Sequence, residues 1–540
     1  MTVSRPATKF LQTNWQPAIL IALLSVFFAI NVLSLDHLAP TADEEKHYLY
    51  GTNILELNAD RFDDSKMPFS VLNALPNKLS GLFPAGQLRT FMQKFYTARL
   101  VTILFSMGVA YMVSHWAKQL YGSYAGLLAL FLYTWDPNII AHSMLVTTDI
   151  FALGMMLFSL YFFWKFLNQP TWKNGILSAF VLGLSQLAKY TCVFLYPLFL
   201  LLVIVFFFQK WFLAIKQREY RKLIQHVTGT ILYALIFILI SILIINVGFL
   251  FNRTFLPLQS YNFSSELFQT VQDKLAGAGN LPVPVPYPYI EGLDLVRFRE
   301  RTGFGFGRMY LFGELREHEG FKGYYFYATL LKMPVAIQIV VLAALVAYLR
   351  KFKVKPFLQN EEFLLLPALF FTVYFNFFYR AQIGIRYFIV VFPLLYILCG
   401  SLLQHWEQIS LRQKAVGGVL SIYLVLSVLS YHPHYIPYFN EIVWDRRFAY
   451  KYLADSNLDW GQAEFYLEDY LAENPNARVE PLQPRDGTTI VSVNALVGVV
   501  DERDKYAWLR ENFDPVDTIA YMYLVYKIST PEFRSVFPPP

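Results

Sequence analysis

The chain is 540 residues long, with 56% hydrophobic residues, 18% aromatics, only 16% charged residues and a formal charge of +6. That balance excludes a soluble globular enzyme and marks a membrane protein. The excess of cations calls for no nucleic-acid partner, because the short connections between apolar segments contain enough lysine and arginine to account for it.

Apolar stretches near the ~20 residues that cross a bilayer run over 15–35, 95–115, 123–141, 146–164, 174–188, 190–208, 227–249, 329–349, 362–378, 387–403 and 415–431. They predict a mainly α fold, a polytopic membrane helical bundle of about eleven spans. The first follows a fourteen-residue leader and reads as a retained signal anchor. The fifth is the shortest, about 22 Å of helix at ~1.5 Å per residue, and relies on snorkelling by Lys173 and Lys189. Lysine and arginine number sixteen in the short connections on one side and three (Lys189, Arg380 and Arg386) on the other. The positive-inside rule then puts the N-terminus in the cytoplasm and residue 43 outside.

Three exterior segments exceed the length of a connector: 36–94, 250–328 and 432–540. The expected division is a membrane domain over 1–431, with 36–94 as an exterior catalytic loop and 250–328 as an exterior covering loop, followed by an exterior C-terminal domain over 432–540. Function gathers in such long loops. The first reads as interfacial helices through Tyr48, Leu49, Ile54, Leu55 and Leu57 and then through Phe69, Val71, Leu72 and Leu75. In the second, alternating prolines from Leu281 to Tyr289 predict an extended cover. Gly303-Phe-Gly-Phe-Gly307 lacks the spacing of a nucleotide loop and reads as an aromatic turn. The tail predicts a small α/β appendage, with a helix from Trp460 to Leu471, N-capped by Asp459, and strand-like runs over 489–496 and 518–528. Both cysteines, Cys192 and Cys399, fall inside apolar stretches, so no disulfide holds the exterior segments. Asn252-Arg-Thr254 and Asn262-Phe-Ser264 match a glycosylation triplet that arises often by chance.

Chemistry is expected where charge interrupts this apolar chain. Asp43, Glu44 and Glu45 follow the first span. Acids there can cap a helix, but three in succession exceed a cap and stand where a membrane-borne substrate arrives. Lys66, in Asp63-Asp-Ser-Lys-Met-Pro68, offers a point charge for phosphate on a backbone stiffened by proline. Arg99 and Asp149 open two spans from the same side and predict a supporting ion pair. Lys189, Arg380 and Arg386 contribute an anion-binding rim, with lipid headgroups as the simpler role. His432-Pro-His434 lacks a third ligand, so no metal is assigned.

The ordered motifs resemble those of the C-type membrane glycosyltransferases, specifically the glycosyltransferase family 39 group that includes protein O-mannosyltransferases and the lipid A aminoarabinose transferase. They are Ala42-Asp-Glu44, Lys66-Met-Pro68, Asp136-Pro-Asn-Ile-Ile-Ala-His142 with Thr148-Asp149, Leu187-Ala-Lys-Tyr190, Leu331-Lys-Met-Pro334, Ile383-Gly-Ile-Arg-Tyr387, and Tyr438-Phe-Asn-Glu441 with Asp455-Ser-Asn-Leu-Asp-Trp-Gly-Gln462. The resemblance implies a bacterial plasma-membrane enzyme that moves a sugar, with inversion, from a polyprenyl-phosphate donor to a lipid, glycan or protein acceptor on the exterior face. It implies Asp43 at the reaction centre and Lys66 on the donor phosphate; the residues themselves add Glu44 as a second candidate base and Arg386 and Lys189 as further cations for that phosphate. Ser65 stands where aminoarabinose-type relatives have glutamate, which puts the donor sugar in question. A multispan transporter or lipid flippase is the alternative; against it, charge gathers at one face and no repeated halves are evident.

Overall fold

A computed structural model describes residues 15–58, 66–278, 281–350 and 360–538. Asp63, Asp64 and Ser65 lie outside these. The protein is an integral membrane protein. Among the described residues, seven helices are long and apolar enough to cross a bilayer: Trp15–Leu35, Phe95–Tyr121, Asp149–Asn168, Tyr190–Lys216, Leu223–Gly248, Ile385–Leu403 and Leu411–Leu429. The most deeply buried is Asp149–Asn168, where Gly154 lets the rings and methyls of Phe105 and Val109 approach its backbone.

The other apolar stretches are shorter or broken, for visible reasons. Helix Ser123–Thr134 stops before Asp136, whose side chain accepts the Asn138 N–H and so starts a second short helix, Pro137–Ser143. Pro334 forces Met333 out of helical geometry, and the helices Tyr324–Lys332 and Val335–Arg350 meet there at 119°. Trp172–Ser185 and Glu362–Phe377 have 14 and 16 residues. Among the described residues, length and apolarity alone qualify seven helices, or eight with the bent pair counted as one, with Ser123–Thr134 and Glu362–Phe377 as shorter apolar helices beside them.

The first long connection folds into helices Glu44–Leu55, Val71–Ser80 and Gln87–Met92. The second contains helices Glu266–Lys274 and Tyr287–Thr302 and the antiparallel hairpin β1 (Arg308–Leu311) and β2 (Glu314–Glu317). The extended cover expected through Tyr289 thus ends sooner. Pro288 sits in the first turn of the helix Tyr287–Thr302, where its missing N–H costs nothing. Gly303 closes that helix at a φ of 70°, and Gly305 and Gly307 continue the turn into β1.

The tail forms a four-stranded sheet in the order β3 (Arg478–Val479), β4 (Gly487–Ser492), β6 (Tyr523–Ile528), β5 (Asp517–Ile519), with only the β3–β4 pair parallel. Alternation sorts its faces. Ile490 and Val525 pack with Tyr466, Leu467 and Tyr470 around the helix Glu464–Glu473, while Val491, Leu524 and Tyr526 join the main core. This helix begins four residues later than the sequence predicts, and Asp459 does not cap it. The Asp459 carboxylate instead accepts the backbone N–H groups of Gly461 and Asn494. The two predicted strand runs are also shortened, the first by helix Val493–Val497 and the second by a turn at Ala520–Met522.

Candidate active site

Asp43 stands at the N-cap position of helix Glu44–Leu55 but makes no side-chain cap bond. Its carboxylate, one third exposed, accepts a hydrogen bond from Arg386 Nη1 at 3.0 Å and lies 3.9 Å from Lys66 Nζ. Burial pushes Asp43 upward, but Arg386, Lys66 and His47 outweigh it and hold the carboxyl below its usual range. His47, one helical turn on, is pushed down to about 3 by burial and by Lys66, against the pull of Asp43 and Asp149, so it is neutral beneath the site.

Glu44 points the other way. It is fully buried, and its two oxygens accept Arg99 Nε at 2.9 Å, Arg99 Nη2 at 2.7 Å, Thr41 N and Oγ1, and the Val146 N–H. Arg99 also donates to the carbonyls of Leu38 and Ala39. The predicted Arg99–Asp149 pair does not form: Arg99 takes Glu44, and Asp149 takes Lys189 at 2.6 Å. Glu44 presents both oxygens to the guanidinium fork, which favours a bidentate partner.

The cations converge from separate elements. Lys66 precedes the turn Pro68–Ser70, and the Phe69 N–H donates to the Leu187 carbonyl, tying that turn to the segment of Lys189. Lys189 lies 4.2 Å over the Tyr387 ring and Arg386 lies 4.0 Å over Trp460. Lys66 and Arg386 pair with Asp43, and Lys189 pairs with Asp149. Arg386 is 8% exposed, and its Nε has no hydrogen-bond partner among the described residues. An unpaired guanidinium N–H in a buried, cationic setting suits an anion. Arg380 is not part of this group; it lines a separate cavity of about 640 Å³ with Glu314, Arg316, Glu319 and Lys322.

The tail completes the site. The Ser456 hydroxyl donates to the Ile383 carbonyl, Asn457 Oδ1 accepts the Ile385 N–H, and a Cβ at Gly384 would overlap the Ser456 side chain. On the other flank the Ala39 and Ala42 N–H groups donate to the carbonyls of Gln462 and Trp460. Sequence reading gave Trp460 no role at the site, because as the expected start of a helix it had an ordinary explanation. His142 packs edge-on to Trp460.

An apolar groove of about 730 Å³ opens between Phe194, Leu201, Leu366 and Phe370, with Arg297 and Arg301 among its lining and Tyr190, the neighbour of Lys189, at one wall. Glu300 also lines it; burial pushes this acid up to about 7 against the Tyr374 hydroxyl, 2.5 Å away. Among the described residues no group of three histidine, cysteine or acidic side chains is arranged to hold a metal.

The family model described as dolichyl-phosphate-mannose-protein mannosyltransferase matches residues 82–245. Among solved structures, the chain is similar to the apo oligosaccharyltransferase of Archaeoglobus fulgidus, with 13% identity, 78% of this chain and 55% of that one covered, and a TM-score of 0.48. ArnT from Cupriavidus metallidurans bound to undecaprenyl phosphate gives 12% identity, 94% and 98% coverage and a TM-score of 0.45. The archaeal enzyme in complex with an inhibitory peptide and a dolichol-phosphate gives 13%, 85% and 60%, and 0.48. The chain thus spans little more than half the length of the archaeal oligosaccharyltransferase. No curated protein matches the chain. The family match supports the resemblance to C-type membrane glycosyltransferases carried by the ordered motifs.

Proposed function

We propose that this protein transfers a sugar, with inversion, from a polyprenyl-phosphate donor to an acceptor hydroxyl at the exterior face of the membrane. The observation that carries the reading is the partly open Asp43 carboxylate held by two nearly buried cations, Lys66 and Arg386, one of which keeps a free N–H. Asp43 takes the acceptor proton as the acceptor oxygen bonds to the anomeric carbon. The bond from that carbon to the phosphate oxygen breaks on the opposite side, and the electron pair leaves with the polyprenyl phosphate. Lys66, Arg386 and Lys189 stabilise the charge gathering on the departing phosphate, often the largest catalytic contribution. When phosphate draws these cations, Asp43 loses their restraint and becomes a stronger base. The isoprenoid tail fits the apolar groove beside Tyr190. Sidedness rests on the sixteen-to-three distribution of cations in the short connections, counted with all eleven apolar stretches as crossings.

The test is release of undecaprenyl phosphate by purified protein incubated with a panel of undecaprenyl-phosphate sugars and p-nitrophenyl glycosides as acceptors. Asp43→Asn is expected to slow transfer by about 10²- to 10⁴-fold, the usual worth of a general base. A folded Asp43→Asn protein with normal turnover would reject the assignment.

A further inference from the structure

One acid at the rim of the site has no part in the chemistry above. Asp455 has a φ of 56°, in the left-handed region that non-glycine residues rarely enter. Such strain costs about 1–3 kcal/mol, persists only where the surroundings over-determine it, and clusters at functional sites. Here the Asp455 N–H donates to Asn494 Oδ1 at 2.7 Å, while Asn494 is anchored in turn through its own N–H and Nδ2 to Asp459. The next two residues, Ser456 and Asn457, are bonded to the Ile383–Ile385 segment that carries Arg386.

The side chain thus held is half used. Asp455 Oδ1 accepts the Ser456 N–H at 2.6 Å, and Oδ2 accepts no hydrogen bond among the described residues. The group interacts electrostatically with Arg386, Asp459 and Asp43, so it lies in the neighbourhood of the Asp43 carboxylate. It comes from the tail, whereas Lys66 and Lys189, the donor-side cations, come from the first connection and the bundle. A local turn accounts for Oδ1 but leaves Oδ2, on an acid near enough to Asp43 and Arg386 to interact with both, without a hydrogen-bond partner among the described residues.

We propose that Asp455 positions the acceptor, its free Oδ2 taking a hydrogen bond from a hydroxyl of a polyhydroxylated substrate while Asp43 receives the proton of the attacking hydroxyl. The inference rests on the transfer reading above. Burial pushes Asp455 up to about 7, with Asp459 and Asp43 adding to the shift and the Ser456 N–H and Arg386 opposing it. The ionised form is the better acceptor of a hydrogen bond, so acceptor affinity increases as pH rises through about 7.

The experiment measures acceptor and donor KM for the full chain on either side of pH 7, with undecaprenyl-phosphate sugars as donors and p-nitrophenyl glycosides as acceptor probes. In the wild type, acceptor KM is expected to fall as pH rises. Asp455→Asn should raise acceptor KM about tenfold or more, in line with loss of a hydrogen bond to a charged group. It should also flatten the pH dependence and leave donor KM unchanged, and Asp455→Glu should restore part of the effect. Glu300 titrates in the same range but lies in the groove, so its signature falls on donor KM. A folded Asp455→Asn protein with wild-type acceptor KM, or with the pH dependence intact, overturns the proposal. If the variant does not fold, a wild-type acceptor KM indifferent to pH across 7 overturns it equally. Absence of transfer from every donor to every probe overturns the transfer reading itself, whereas turnover with a flat acceptor profile removes only Asp455.

Discussion

Adjacent acids in this chain stand in opposite settings, and the difference is measurable. Glu44 is completely buried against Arg99, while Asp43 is partly open beside Arg386 and Lys66. Removing one partner of a buried ion pair leaves an uncompensated charge and costs about 3–5 kcal/mol. Glu44→Gln is therefore expected to lower the thermal midpoint of the detergent-solubilised protein markedly, and Asp43→Asn, whose carboxylate is one third exposed, to lower it less. An unchanged midpoint together with abolished turnover in Glu44→Gln would make Glu44 the base instead. The sequence made both acids visible, because charge is rare in an apolar chain, but it held nothing to say which one turns inward. Pairing failed for a similar reason. Arg99, Asp149, Glu44 and Lys189 all lie at the same membrane end, and depth alone does not choose among them. Asp455 was harder still to see, since acids are ordinary in a polar tail and only its backbone conformation and its neighbours set it apart.

At the scale of elements, the distance between Asp43 and Lys66 is set by how closely helix Glu44–Leu55 meets the turn Pro68–Ser70. The contact is made at Gly51, where a Cβ would stand 2.6 Å from the Ser70 carbonyl carbon and closer still to its oxygen. That neighbour is backbone and has no rotamer to yield. Gly51→Ala must therefore push the turn away and take Lys66 with it. Overpacking of this sort typically costs about 1–3 kcal/mol, and the expected kinetic mark is a raised donor KM. Donor kinetics like those of the wild type in Gly51→Ala would show that the approach does not set the position of Lys66. Elements were legible wherever apolar runs were uninterrupted, as over Trp15–Leu35, and misread where a run continued through a break. Asp136-Pro137 and Met333-Pro334 were in view, yet a hydropathy run counts residues and not the backbone donors that proline removes. The helix Tyr287–Thr302 was hidden by the converse rule, since proline is tolerated in a first turn.

At the scale of the molecule, the tail is bonded into the bundle, and a buried lysine does much of the joining. Lys332, 1% exposed just before the bend at Pro334, donates from Nζ to the carbonyls of Ile436 at 2.7 Å and Asn457 at 2.6 Å. Asn457 passes the connection on to Ile385 and to the Tyr324 hydroxyl. The same tail segment holds the backbone of residues 39 and 42 on one side and the turn of Arg386 on the other. The geometry between Asp43 and Arg386 is thus a property of bundle and tail together. Lys332→Met keeps most of the volume and strands two buried carbonyls, each worth about 1–3 kcal/mol when left unsatisfied. In that variant the amides of β4 and β6 are expected to exchange hydrogen faster, the thermal midpoint to fall, and turnover to drop with them, although the Lys332 ammonium is bonded to main-chain carbonyls. Unchanged exchange in β4 and β6, with full turnover, would mean that the tail keeps its place without the ammonium and that the site geometry is fixed by the bundle alone.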